Sequence, residues 1–236
     1  MIYITGDLHG DITQWYNVIK KINCKPNNIL IVLGDFGGNY YCDKRDDKFK
    51  EIVNNANIQI FAIRGNHDAN PVNVKDIKQV EKFGNIGYIQ DQYPNIFYAD
   101  NGLIYHIENK SFLVLGGAYS VDKWYRLEMG YKWFADEQIS ENLQQSFLQS
   151  DIDNVDVILS HTCPYPNIPK HLFLRQINQS TVDNSMELFL SKVKTKVNYK
   201  NWFFGHFHAN EQIEDNMYML YDGVIRYKSQ GKLKIY

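Results

Sequence analysis

Residues 1–36 read MIYITGDLHG DITQWYNVIK KINCKPNNIL IVLGDF, and the fold is decided here. Residues 2–6 are a short β-type run that breaks at a glycine. Residues 11–23 place Ile12, Trp15, Tyr16, Ile19 and Ile22 at helical spacing, with Asp11 where an N-cap belongs. Residues 29–33, ILIVL, form an unbroken apolar run, the mark of a strand covered on both faces. Strand, helix and strand joined by short links make a βαβ unit, so the sheet is at least partly parallel.

The pattern continues downstream. Residues 43–56 are charged and weakly helical, residues 58–63 (IQIFAI) read as another buried strand, and residues 73–83 read as a helix. The texture then changes. Runs at 103–107 and 111–115, separated by Glu-Asn-Lys, predict an antiparallel hairpin. A helix is expected over 136–150, beginning after Ala135, then a strand over 156–160. A helix over 181–196, capped at Thr181 or Asp183, precedes a strand at 202–205 and a closing hairpin of 224–228 with 232–236. No internal repeat, low-complexity tract or long Pro/Gly linker divides the chain, so residues 1–236 are expected to be one mixed α/β domain.

Composition narrows the function. A chain of 236 residues buries about 70–75% of its unfolded surface and needs no staples. The 44% apolar content is that of a globular protein. Lys and Arg number 25 against 27 Asp and Glu, a net charge of −2 that gives no overall pull toward nucleic acid or anionic lipid. Cys24, Cys42 and Cys163 are scattered, which argues against a disulfide framework and for a reducing compartment. No apolar run approaches the about 18–20 residues of a membrane span, and the first residues lack the basic start of a secretory signal. The expectation is a cytoplasmic protein with no membrane partner.

The chemistry gathers where strands end. Five of the seven histidines follow inferred strands beside Gly, Asp or Asn: Asp7-Leu8-His9, Gly65-Asn66-His67-Asp68, Ser160-His161 and Gly205-His206-Phe207-His208, with Gly34-Asp35 between the first two. In open α/β sheets ligands bind outside the carboxyl ends of strands, so these motifs converge. Carboxylate, imidazole and amide carbonyl without thiolate suit Mn, Fe, Zn or Co. Asp7, His9, Asp35, Asn66, His161, His206 and His208 are too many donors for one tetrahedral ion and fit two ions sharing a carboxylate. Such a pair clamps an in-line displacement at phosphorus. Gly6, Gly34, Gly65 and Gly205 read as positions that let the backbone turn sharply and a phosphate approach. Taken singly, each motif is more readily a cap, a surface feature or a β-turn. Five in order, each after an apolar run, are not explained as independent turns. Cys163, two residues from His161, does not make a nucleophile pair, and His106 and His171 read as structural.

The order D-x-H, G-D, G-N-H-D, H, G-H-x-H resembles the calcineurin-like metallophosphoesterase superfamily, from residue 7 to residue 208, about 85% of the chain. The resemblance implies a four-layer α/β/β/α sandwich of two mixed β-sheets flanked by helices. It implies one divalent ion on Asp7, His9, Asp35 and His208 and a second on Asp35, Asn66, His161 and His206, bridged by Asp35. Manganese is the first candidate, with Fe, Zn, Co or Ni as alternatives. The implied mechanism is attack by a metal-bridging hydroxide, with Asp35 essential and His67 protonating the leaving group. Asp68 is read as orienting a neighbour.

The substrate is less defined. Arg64-Gly-Asn-His resembles the serine/threonine phosphatase branch, but Gly34-Asp35-Phe36-Gly37-Gly38 lacks that branch's following Asp-Arg pair. The closing Gly-His-x-His is also typical of phosphodiesterases and nucleases. Residues 116–134 (GGAYSVDKWYRLEMGYKWF) interleave cations with aromatics, which either hold a phosphate and stack a base or form a helix with a buried aromatic face. This stretch and Ser160–Pro164 resemble metallophosphoesterases of Firmicutes and their phages. Arg64, Lys123 and Arg126 are the candidate substrate contacts, with Arg175 a further one. The first reading is a metal-dependent phosphoesterase acting on a small or nucleotide-type phosphomonoester or phosphodiester. The alternatives are a phosphoprotein phosphatase or nuclease of the same superfamily and a catalytically silent scaffold that binds a partner protein. Oligomeric state is open.

Overall fold

In the computed structural model, which describes residues 1–173, 179–228 and 233–236, strand β1 (Ile2–Thr5) lies parallel to β2 (Ile29–Val32), Ile2 opposite Ile29 and Thr5 opposite Val32. Helix α1 (Ile12–Ile19) connects them. Asp11 caps it, accepting from the amides of Thr13 at 2.7 Å and Gln14 at 3.3 Å. Helix α2 (Lys44–Asn54) leads to β3 (Gln59–Ala62), parallel to β2. The opening βαβ reading and its parallel sheet stand.

The first sheet grows on both sides. Residues 77–82 form β4, 85–90 β5 and 96–99 β6, and β13 (Val224–Tyr227) pairs antiparallel with β1, giving the order β13-β1-β2-β3-β6-β5-β4. The second sheet holds β7 (Ile104–Ile107), β8 (Lys110–Leu115), β9 (Asn154–Ser160), β10 (Asn198–Phe204), β11 (Glu211–Glu214) and β12 (Met217–Met219), in the order β11-β12-β10-β9-β8-β7. Both sheets mix parallel and antiparallel pairs.

Period-two alternation separates three cores. Ile4, Ile31, Phe61 and Phe97 meet Tyr105, Phe112, Val157 and Phe203 between the sheets. Tyr3, Leu30 and Ile60 point the other way and pack on Trp15, Val18, Phe49 and Val53 of α1 and α2. On the far side, Leu113, Ile158, Trp202 and Phe204 pack on Phe147 of α4 (Glu141–Gln149) and Phe189, Leu190 and Val193 of α5 (Ser185–Lys196). The result is the expected helix, sheet, sheet, helix sandwich. The central strands, such as β1, β2 and β6, are apolar on both faces because each sheet is covered twice.

Four local readings change. Residues 73–83 are not a helix: Pro71–Asn73 make one 3-10 turn and Ile77–Lys82 form an edge strand. Phe83 and Gly84, both at positive φ (57° and 77°), make a two-residue turn into β5, a hairpin signal with an unusual first residue. The helix read from residue 136 begins at Glu141, because Ser140 supplies the cap, its Oγ accepting from Leu143 N at 3.4 Å. The helix read from 181 begins at Ser185; Thr181 ends a 3-10 turn and Asp183 accepts the Ser185 amide at 2.9 Å. The closing hairpin reduces, among the described residues, to one bridge between Ile225 and Ile235.

Phe61 is fully buried between the sheets, its ring 5.1 Å from Tyr105 and 5.5 Å from both Phe83 and Phe97. Phe61→Ala is expected to lower the unfolding free energy by about 3–5 kcal/mol. A urea titration checks this as a lower midpoint at an unchanged slope.

Candidate metal centre

The carboxyl ends of β1, β2, β3, β9 and β10 meet at one edge of the sandwich, three from the first sheet and two from the second. Backbone bonds stitch the loops together. The amides of Leu8 and His9 donate to Asp35 O at 3.0 and 2.7 Å, and Gly205 N donates to His161 O at 2.9 Å. Asp7 accepts the His206 amide on both oxygens, at 3.1 and 3.2 Å.

All seven candidate ligands come together. His9 Nε2 and His208 Nε2 stand 2.9 Å apart, with Asp7 Oδ2 at 3.8 Å from the first and 3.4 Å from the second. Asn66 Oδ1 lies 2.9 Å from His161 Nε2 and 3.2 Å from His206 Nδ1. Asp35 Oδ2 lies between these groups, 3.8 Å from His9 Nδ1 and 3.6 Å from His161 Nε2. Donor atoms held about 2.1 Å from a shared ion stand about 3.0–3.4 Å from one another. The two clusters, with donor separations of 2.9 to 3.8 Å on either side of one carboxylate, come near this spacing and could hold divalent ions. Ligand atoms of Asp7, Asp35 and His161 also lie within 4.8 Å of one another.

The electrostatics suit a cation. Asp7 and Asp35 are buried. Burial alone would raise the Asp35 pKa, but the charges of His161, His67 and His9 outweigh it and hold the carboxylate far below its usual range. Burial and neighbouring His161 keep His206 neutral, the form that ligates. Burial opposes charge on His161 as well, yet Asp35 raises it to about 9. Its Nδ1–H donates to Leu33 O at 2.7 Å, which leaves Nε2 facing the cluster.

The backbone is bent to this end. His9, Asp35, His206 and His208 all have positive φ, between 46° and 70°. For non-glycine residues this costs about 1–2 kcal/mol each. The glycines have a different use from the one expected. Only Gly34 of the four named has positive φ, at 92°. A Cβ on Gly34 would strike the His161 ring, one on Gly65 the Asp35 carboxylate, and one on Gly205 Asp7 Oδ1. Each clears space for a ligand from another motif, and Gly6 lets the backbone at Leu220 approach.

Asn66 has an orienting chain that sequence reasoning missed. Its Nδ2 donates to Ser120 Oγ at 2.9 Å, and Ser120 Oγ donates to Glu137 Oε2 at 2.5 Å. The Ser120 amide donates to Glu137 Oε1 at 3.0 Å. Because the Ser120 proton is committed to Glu137, its oxygen is an acceptor, and Asn66 must present Oδ1 to the histidines. Asp68, with its pKa raised to about 6 chiefly by burial, accepts from the amides of Gly65, Phe36 and Gly37 and clamps two motif loops.

The substrate candidates divide. Arg126 reaches the centre: NH2 donates to His67 Nε2 at 3.1 Å and NH1 to Tyr40 Oη at 3.0 Å, with Nε on Asp122 at 2.8 Å. Arg64 does not line the cleft. It donates to Asp136 and to Asp68 O, and so braces the 64–68 loop. Lys123 lies 4.1 Å from the centre of the Trp133 ring and is not among the residues that line the cleft. Arg175 falls outside the described residues. Within 116–134, α3 (Lys123–Glu128) buries no residue, and Trp124, Tyr125 and Tyr131 are exposed, which excludes a helix with a buried aromatic face.

Residues 1–210 match the calcineurin-like phosphoesterase family, and the chain belongs to that family. Its members are metal-dependent phosphoesterases. A solved crystal structure aligns with the whole chain and 97% of its own length, at 12% identity and a TM-score of 0.56; the likeness is one of fold. A second crystal structure, of the protein TT1561 of Thermus thermophilus, aligns with 93% of this chain and 87% of its own, at 14% identity and a TM-score of 0.48. No curated protein matches the chain significantly. Among the described residues no helix is long and apolar enough to cross a membrane.

Ser120→Ala removes the acceptor that orients Asn66. Divalent-ion affinity by calorimetry is expected to fall about 10–100-fold, with an unchanged circular dichroism spectrum.

Proposed function

We propose that residues 1–236 act as one domain that hydrolyses a phosphoester with two divalent ions, manganese the first choice. One ion is held by Asp7, His9, Asp35 and His208 and the other by Asp35, Asn66, His161 and His206. The observation that carries this reading is the paired donor spacing, 2.9 Å between His9 and His208 and 2.9 Å between Asn66 and His161, on either side of one buried carboxylate. When bound, such ions supply Lewis acidity that activates water and neutralises phosphate oxygens.

The side chains do the rest. Asp35 joins the two donor sets and its Oδ1 accepts the His67 amide at 2.8 Å, so the same carboxylate fixes the start of the His67 loop. His67 is the general acid. With its Nε2 accepting from Arg126, that nitrogen carries no proton. A phosphate in the cleft is a stronger acceptor than a neutral imidazole. Arg126 then turns to the phosphate and orients it, and the freed Nε2 takes up a proton from solvent, which it delivers to the leaving oxygen. Cys24, Cys42 and Cys163 are free thiols, in keeping with a reducing cytoplasm.

The test is Mn²⁺-dependent hydrolysis of p-nitrophenyl phosphate and bis-p-nitrophenyl phosphate. Asp35→Asn is expected to lose metal on elemental analysis together with nearly all turnover. His67→Ala should keep both ions and lose about 10²–10⁴-fold on substrates with poor leaving groups. A His67→Ala protein emptied of metal would show that His67 is a ligand. Arg126→Ala should raise KM for both esters while metal content holds.

A further inference from the structure

His208 is held differently from the buried candidate ligands. Its side chain is 51% exposed, against 29% for His9 and 0% for His161. Its φ of 50° is in the left-handed region, so its loop needs support from outside. A ligating histidine is usually oriented by a hydrogen bond from its other ring nitrogen. His161 has that bond, on Leu33 O. In His208, Nε2 faces His9 and Asp7, and Nδ1 has no partner among the described residues. Its support is a ring instead. Tyr221 lies stacked on the His208 imidazole, with centroids 4.6 Å apart and planes 20° from parallel. The His9 ring meets the same imidazole at 72° and 4.9 Å.

Tyr221 is itself fixed by its backbone. Its amide donates to Asn210 Oδ1 at 2.9 Å, and its carbonyl accepts from Gly6 N at 3.1 Å. Asn210 takes the Gly223 amide on the same oxygen at 2.9 Å and donates to Asp222 Oδ1 at 2.6 Å. Thr5 Oγ1 donates to Gly223 O at 2.9 Å, and Leu220 N donates to Phe204 O at 2.8 Å. Residues 220–223 therefore strap the end of β1, which leads to Asp7 and His9, to the end of β10, which leads to His206 and His208. This strap lies beyond residues 1–210, the stretch that matches the family.

We propose that Tyr221 is a positioning residue for the ion assigned to Asp7, His9, Asp35 and His208: its ring holds the His208 imidazole with Nε2 turned to Asp7 and His9 before any ion arrives. This rests on the two-ion reading and adds a residue outside the ligand motifs to it. A side chain as open as His208 would otherwise give up its rotamer freedom on binding, and a stacked partner removes that cost in advance. The contact is made by the ring, so phenylalanine serves in place of tyrosine. The ion assigned to Asn66, His161 and His206 has its own supports in Ser120 and Leu33 and does not depend on Tyr221.

The test reads binding and ring geometry, not turnover. Calorimetric titration of the full chain with Mn²⁺ should show two binding steps, and His208→Ala marks the step that uses His208. Tyr221→Leu should weaken that same step about 10–100-fold and leave the other as it was. Tyr221→Phe should match the wild type. The strap's hydrogen bonds come from backbone groups and from Asn210, so melting temperature should hold in both variants. A Tyr221→Leu protein that weakens both steps alike, or neither, overturns the assignment, as does a Tyr221→Phe protein as weak as Tyr221→Leu. A second readout on the metal-free protein separates this proposal from the two-ion reading. The nuclear Overhauser contact between the His9 and His208 rings should survive in Tyr221→Phe and vanish in Tyr221→Leu. If the wild type takes up fewer than two ions and the ring contact follows that pattern, the two-ion reading fails and Tyr221 still places His208. If two ions bind and the ring contact is the same in all three proteins, the two-ion reading stands and the role of Tyr221 fails.

Discussion

One buried carboxylate organises this protein. Asp35 emerges from β2 at positive φ, 2% exposed, and faces His9, His67 and His161 at 3.6 to 4.0 Å. A carboxylate so placed must be balanced by cations or imidazolium. The loops around it meet that demand with imidazoles, and their own geometry follows from it. Gly65 must be glycine because Asp35 fills its Cβ space, and His67 starts where its amide can reach Asp35 Oδ1. Without a cation, the same arrangement gathers acceptors and like-charged rings that do not favour one another.

Strain and clearance are two halves of one design. The ligands at positive φ need loops held from outside, and Asp68 and the Leu8 and His9 amides do the holding. The sandwich beneath supplies rigidity. With both sheets covered on both faces, the strand ends cannot drift, and strained turns can persist on them. The cleft is built asymmetrically on this frame, polar where His67 stands and aromatic beyond His206.

The frame was legible because its signals are local. The apolar runs at 29–33 and 58–63 could be nothing but covered strands, and Asp11 announced the helix it caps. The candidate ligands could be picked out because five motifs recur after strands, each short enough to read. What was hidden is long-range. Ser120 and Glu137 stand 54 and 71 residues from Asn66, and no pattern near Asn66 calls for them. Residues 77–82 become a strand through pairing with β5, a partner their own periodicity does not announce. Arg64 looked like a free cation beside a motif; Asp136, far along the chain, binds it.

The order of strands has a consequence for synthesis. β1, which carries Asp7 and His9, is flanked on one side by β13, made more than 200 residues later, and its fellow ligand is His208. At about 5–20 residues per second, translation leaves the first ligands waiting about 10–40 s for the last. Neither donor cluster is complete until Gly205–His208 has left the ribosome. The nascent chain therefore has no finished site with which to capture an ion early. Metal held on the proposed ligands would report that residues 7–9 and 205–208 have found each other.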